Sequence, residues 1–434
     1  MKRSAVILIP VLFLICSFVF SCNKESRDTD VEQPHSFFVS INEAEDEVLM
    51  LSQSIDLETR SNGTRKISCR KTLINSKTRS DYDTSPIYYL FEFEDNAGFA
   101  LASADRRTEP VFCITDCGEF PGFTSTENPG FTLAIKAIDE YYRILTGLPI
   151  YDDNGQIVDS DDAKRLFRLD PPDDTCEYFY PDPGTCIQLW QIESRDGEVL
   201  PTRWGQLYPF NHYCFTPDHL NNAPVGCIAV AIGQIMYAHQ LNTTYNGISY
   251  NWDDMASILR SDSAPTDTLG WDLVQHLLAD LGRPENLYMI YNVESSGCSP
   301  SNIPRTFNHF GYTHGGVGGD FSASSIKSWV SSGPVFGFGS TNNGSSHGWV
   351  FDEVITRVRR VYHGSSPNSP YDIEHDELVH INWGWYGDAD GYYIPGVFNV
   401  LAGPINPRDD THQFTGINCN FNRQLRVYHS ISPD

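Results

Sequence analysis

One stretch constrains the fold more than any other: Gly226-Cys227-Ile228-Ala229-Val230-Ala231-Ile232-Gly233-Gln234-Ile235-Met236-Tyr237. At helical spacing it is apolar on every side, so it reads as a helix buried all round. Such a helix must lie at the centre of a domain, with other elements packed about it. The cysteine falls in its first turn, directly after a glycine. Backbone N–H groups without intrahelical partners and the positive end of the helix dipole converge there. A thiol so placed has its thiolate favoured and its pKa lowered, which makes it a nucleophile. A cysteine used only for packing would more naturally sit mid-helix.

A thiolate that attacks a carbonyl needs an imidazole to take its proton and return it to the leaving group, and donors for the oxyanion. His347 lies in Asn342-Asn343-Gly344-Ser345-Ser346-His347-Gly348-Trp349-Val350. A polar, glycine-rich loop delivers it to the head of an apolar strand, at a sheet edge where a cleft would open. Taken alone it is equally a surface histidine in a loop. Gln206, in Trp204-Gly205-Gln206, offers a side-chain amide to the oxyanion beside the Cys227 N–H. Alone, it is equally a turn glutamine. Asn382 lies in His380-Ile381-Asn382-Trp383-Gly384-Trp385-Tyr386-Gly387, after an apolar strand. Its amide oxygen could accept from the second imidazole nitrogen and fix the tautomer, with Trp383 shielding the contact from water. The plainer reading is aromatic packing at a strand end.

The order of these pieces carries more than any one of them. With Trp204-Gly205-Gln206, Gly226-Cys227-Ile228-Ala229, Ser345-Ser346-His347-Gly348-Trp349-Val350-Phe351-Asp352 and Asn382-Trp383-Gly384-Trp385, the sequence resembles the streptopain family of bacterial papain-like cysteine peptidases. Leu278 to Tyr312, with Ser295-Ser296-Gly297, is similar to the family's middle segment. Tyr89-Leu90-Phe91 through Ala102-Ser103-Ala104-Asp105-Arg106-Arg107 is similar to its inhibitory propeptide.

The resemblance implies an α+β chain: a papain-like, two-lobed peptidase domain preceded by a small α+β propeptide domain. It implies Cys227 as nucleophile, His347 as proton acceptor and Gln206 in the oxyanion hole, with Asn382 and Trp383 positioning His347. Ser346 and the loop of Ser295, Ser296 and Gly297 would line the substrate cleft. The family usually has glycine before the histidine; Ser346 stands there instead, a side chain that would narrow the range of substrates. The resemblance also implies a zymogen whose own prodomain acts as inhibitor.

The start of the chain reads as a targeting segment. Lys2 and Arg3 precede an apolar stretch from Ala5 to Phe20 that is short for a membrane span. Val19-Phe20-Ser21-Cys22 resembles a bacterial lipobox, with Cys22 as the lipidation site, although Phe20 is bulky for its place; an ordinary secretory signal is the alternative. Several acyl chains acting together would hold the protein on a membrane, outer-membrane or cell-surface. The expected layout is signal peptide 1–22, tether 23–35, prodomain 36–150, an acidic, proline-rich linker 151–200 holding the activation site, and peptidase domain 201–434.

Net charge of -26 argues against nucleic acid as a partner, which needs basic patches. The resemblance implies protein or peptide substrates. No cofactor and no metal are expected, since the cysteines lack paired CxxC spacing and a histidine cluster. Export would permit disulfides, and Cys113 with Cys117, or Cys176 with Cys186, are close enough to pair; free buried thiols are the equal alternative.

Helices are expected over 37–54, 131–147, 271–281 and 322–331. Strands are expected as a hairpin over 88–104, then at 111–114, 335–339, 349–355, 378–383 and 391–394. Gly315-Gly316-Val317-Gly318-Gly319 lacks the Lys-Ser/Thr of a phosphate loop and is read as a flexible loop. Two other functions remain open: a surface binding protein that kept the fold, and a papain-like transglutaminase or amidase. The latter commonly pairs His with Asp, and Asp352 follows His347 too closely along its strand to serve.

Overall fold

The computed structural model describes residues 37–59, 63–74, 86–122, 128–146, 190–255, 269–340, 346–398 and 425–433, with single residues or pairs at 148, 150–151, 157–158 and 188. The signal segment, Cys22, the tether and nearly all of 151–187, including Cys176 and Cys186, lie outside the described residues.

Helix α1, Ile41–Thr59, is amphipathic and buries Ala44, Val48, Leu51 and Ile55. It begins with a reciprocal cap: the Ser40 hydroxyl accepts from the Glu43 N–H and the Glu43 carboxylate accepts from the Ser40 N–H. Strands β1 (Ile67–Ile74), β2 (Pro86–Phe93), β3 (Phe99–Ser103) and β4 (Val111–Thr115) form an antiparallel meander. The expected hairpin is β2–β3, with Leu90 opposite Leu101 and Phe91 opposite Ala100. Helix α2, Pro129–Thr146, covers this sheet with Phe131, Ala134, Ile135 and Ile138. Asn128 caps it by accepting from the Phe131 N–H.

Beyond residue 190 come strand β5 (Gln191–Gly197) and the central helix α3 (Cys227–His239), followed by α4 (Leu269–Leu281). A two-strand hairpin follows, β6 (Ile290–Tyr291) with β7 (Ser296–Gly297), then α5 (Ile303–His309), β8 (His314–Asp320) and α6 (Ala323–Val330). The end is strand-rich: β9 (Val335–Ser340), β10 (Ser346–Tyr362), β11 (Tyr371–Asn382), β12 (Gly391–Tyr393) and β13 (Arg426–Ser432). Helix α3 is buried from Ile228 to Tyr237, as its all-round apolar sequence requires.

All but the small hairpins join one eleven-stranded sheet, ordered β1-β2-β3-β4-β12-β11-β10-β9-β13-β8, with β5 added to β10. The N-terminal meander is therefore continuous with the C-terminal sheet. The seam is β4–β12, where Gly391, Tyr392 and Tyr393 face Thr115, Ile114 and Cys113. Glycine is required at 391, because a Cβ there would fall 2.5 Å from the Ile114 carbonyl oxygen.

Two apolar cores lie on opposite faces. One joins α1, α2 and the N-terminal strands to Trp349, Phe351, Trp383 and Phe398. The other surrounds α3 and takes Phe336, Phe338 and Val350 from the sheet. At the head of β10, alternation sends Trp349 and Phe351 to the first core and Val350 to the second, as a two-residue period demands.

Three expectations need correction. The glycine-rich run 315–319 is strand β8, paired with β13 from His314–Ser432 to Asp320–Arg426. Its glycines permit close approach: a Cβ at Gly315 would lie 2.2 Å from the Pro304 carbonyl oxygen. The acidic segment 151–200 does not end as a linker, since β5 within it pairs with β10 from Gly197–Glu353 to Gln191–Val358. Cys113 and Cys117 do not pair; both are free thiols, pushed up to about 12 and about 11 by burial.

Candidate active site

Cys227 opens α3 behind Gly226, whose positive φ of 93° suits glycine. A side chain at 226 would also strike Met289, 2.7 Å from its Cε, and approach the Ser296 carbonyl oxygen. The start of the β6–β7 hairpin thus packs against the turn that leads into Cys227. Ser295 and Gly297 are exposed on it and Ser296 is half-buried. The Val225 N–H donates to the Gln206 carbonyl at 2.8 Å, which brings Trp204-Gly205-Gln206 alongside the turn that leads into Cys227. Gln206 is buried there.

The thiol does not have the low pKa the sequence implies. Burial raises it, and hydrogen bonds from the backbone N–H groups of Gly348, Ile228 and Cys227 itself only offset this. A second thiol, Cys298, lies within electrostatic reach of Cys227 and is pushed up to about 12, chiefly by burial. Nothing in the spacing of these two cysteines signals that proximity.

His347 is placed one residue from Gly348 and so close to the thiol along the chain, but its ring points the other way. Gly348 faces α3, where a Cβ would lie 3.3 Å from Ile228. His347, on the alternate face with Trp349 and Phe351, enters the other core and is 1 % exposed. Its Nε2 bonds the Trp383 carbonyl oxygen at 2.9 Å. That acceptor fixes Nε2 as the protonated nitrogen. Its ring lies tilted to the Trp383 indole at 6.3 Å. Above it sits the first turn of α2: a Cβ at Gly130 would come within 2.6 Å of His347 Cδ2 and 2.4 Å of Trp383 Cε3. Burial lowers the His347 pKa to about 4, against the opposing pull of the Trp383 carbonyl. The positive end of α2 disfavours an imidazolium as well. Thiol and imidazole are therefore both neutral and on opposite faces of β10.

Asn382 takes no bond to His347. Its Nδ2 donates to the Thr202 carbonyl at 2.7 Å, and its Oδ1 accepts from Gly384 N–H at 3.0 Å and from Gln234 Nε2 at 2.9 Å. The sequence assigned it to the imidazole; the amide is fully used in joining segments 202–206 and 382–384. Trp383 does hold His347, through its main chain rather than as a shield. Its own N–H donates to Asp390, at 2.7 Å, whose carboxyl burial pushes up to about 8. Ser346 is exposed at the head of β10, opposite Ser340.

Other partners went unread in the sequence. Tyr386 braces Trp204-Gly205-Gln206: its N–H donates to the Trp204 carbonyl, its hydroxyl accepts from the Leu207 N–H, and its ring fills the space a Cβ at Gly205 would need. Asp352 accepts from His380 Nδ1 at 2.6 Å and from Leu200 N–H, so it is spent away from His347. His380 Nε2 also meets Asp116 of the N-terminal unit at 3.1 Å. Arg359 joins Glu47 of α1 at 2.8 Å to Glu374 at 2.7 Å. Among the described residues no group of three or more His, Cys, Asp or Glu could hold a metal ion.

Residues 204–393 match the Peptidase C10 family. No curated protein matches the chain. Among the solved structures that resemble it are two of Prevotella intermedia proteins. A Prevotella intermedia prointerpain A fragment, a cysteine-to-alanine mutant, is 17 % identical, with 85 % of this chain and 99 % of that one covered and a TM-score of 0.49. Active wild-type Prevotella intermedia interpain A cysteine protease is 20 % identical, with 57 % and 96 % covered and a TM-score of 0.33. The family match spans Gln206, Cys227, His347 and Asn382 together with the elements that hold them, and it supports residues 204–393 as a cysteine-type peptidase region of Peptidase C10 type.

Proposed function

We propose that this chain is an exported cysteine endopeptidase made as a zymogen, with Cys227 as nucleophile and His347 as its base. One observation supports this reading above others. The thiol sits ready at the helix terminus with Gly348 beside it, while the next residue back, His347, is turned to the far face and pinned between the Trp383 carbonyl and Gly130. A strand slip of one residue exchanges faces. Departure of α2 leaves room for the head of β10 to move, and His347 then reaches Cys227.

In the active form the imidazole takes the thiol proton. The thiolate attacks the scissile carbonyl, and the Cys227 N–H with the Gln206 amide receives the oxyanion. The imidazolium returns its proton to the leaving amine, and water, deprotonated by the same ring, hydrolyses the thioester. The region 36–150 serves as inhibitor and cleavage between Asp152 and Pro201 starts its release. Cys22 carries the lipid anchor. The His-Asp alternative loses support because Asp352 is bonded to His380.

The test is expression of residues 23–434, incubation with a thiol reductant and mass spectrometry of self-cleavage, beside Cys227→Ala. Processing and casein cleavage that vanish in the mutant support the assignment; equal cutting by both removes it. For the anchor, labelled palmitate should enter the full chain and not Cys22→Ser.

A further inference from the structure

Gln234 is a polar side chain in the middle of the most apolar helix of the molecule, fully buried two turns beyond Cys227. A lone amide in such a place is costly unless both its ends are bonded. Both are. The backbone fixes the orientation of Asn382, because only an oxygen can accept from Gly384 N–H and only the nitrogen can donate to the Thr202 carbonyl. Gln234 must therefore turn its Nε2 to Asn382 Oδ1, at 2.9 Å, and its Oε1 then faces Trp204 N–H, at 3.4 Å. The helix that carries the nucleophile thereby holds two other segments at once. One runs into Gln206, the oxyanion donor. The other continues into Trp383, whose carbonyl holds His347. Gly384 lies against the same helix face, where a Cβ would sit 3.0 Å from Val230.

We propose that Gln234, acting with Asn382, is a positioning residue that sets the oxyanion donors relative to the Cys227 sulfur. This rests on the Cys227–His347–Gln206 assignment above. The clamp touches no substrate. It fixes the distance between the helix terminus and the 202–206 segment, so its effect falls on the transition state, where misplacement of a donor is most costly.

Two variants of the full chain, activated by a trace of wild-type enzyme, test it. Gln234→Met keeps the volume and removes both bonds. Gln234→Glu keeps the acceptor for Trp204 and, when protonated, the donor for Asn382. With active enzyme counted by thiol titration, Gln234→Met should lower kcat at least about tenfold with KM within about twofold. Peptide-aldehyde inhibition, which uses the oxyanion donors, should weaken in parallel, while iodoacetamide alkylation, which does not, stays within about twofold. Gln234→Glu should approach wild-type turnover in acid and lose it as pH rises, with an ionisation the wild type lacks. Should Gln234→Met not fold, that profile decides alone. A folded Gln234→Met with unchanged kcat, or a Gln234→Glu profile superposable on the wild type, overturns the clamp. Activity surviving in Cys227→Ala would instead overturn the site assignment, and this inference with it.

Discussion

The two sides of the candidate site are built differently. On the α3 side, Cys227, Gln206 and the 382–384 turn are joined by bonds within residues 202–386, and the N-terminal unit takes no part in them. On the other side, His347 shares its core with α1, α2 and the meander, and its surroundings include Gly130. The Cys227 side is tied together by its own segments, whereas the His347 side is shaped by what covers it, and Trp383 belongs to both. On the proposed assignment, latency is a matter of which face of one strand His347 occupies.

The largest expected effect tests whether His347 is the proposed base at all. His347→Ala should lower turnover by about a thousandfold or more while Cys227 remains titratable, as removing one member of a nucleophile–base pair does. Next comes the contact that keeps the halves apart. Gly130→Val places a Cβ against Trp383 and His347, so α2 cannot seat; self-activation, timed by mass spectrometry, should accelerate on the order of tenfold.

The same contact has a pH signature. His347 is held at about 4, below its ordinary 6.5, so the covered state is favoured by neutral imidazole. That preference is complete above pH 6.5 and is lost as pH falls toward 4. Self-activation should rise with acid across this window, by up to about tenfold per pH unit.

A smaller effect concerns the grip of α1. Glu47→Leu removes one carboxylate partner of Arg359 and should weaken docking by about 1–3 kcal/mol, seen as earlier loss of the cleaved N-terminal fragment on gel filtration. The smallest expected effect is at the cleft wall. Ser346→Gly should alter preference among peptide substrates by about two- to fivefold and leave thiol titration unchanged.

Much of this was legible in the sequence where one element explains itself. The α3 run is buried because it is apolar all round, and the β2–β3 hairpin follows from alternation about Asp95-Asn96-Ala97-Gly98. Strand β8 was not legible, because glycines carry no alternation and its partner β13 lies more than a hundred residues on. Strand β5 hid in an acidic stretch, since main-chain bonds pair it with β10 and none of its side chains is fully buried. The site's residue types were legible and its state was not. Helix position argues for a thiolate at Cys227, but burial under the rest of the chain outweighs it. Asn382 was assigned to the nearest chemistry by type, whereas its partners Thr202 and Gln234 are fixed by tertiary geometry that no spacing reveals.

The central claim is that the thiol and the imidazole are uncoupled while the N-terminal unit is docked and coupled once it leaves. Iodoacetamide alkylation of Cys227, followed against pH before and after that unit is removed, measures this directly. The account predicts that the covered protein reacts only above the ordinary thiol range, and that the released form reacts several pH units lower, as a thiolate beside an imidazolium does. Two superposable profiles would contradict it.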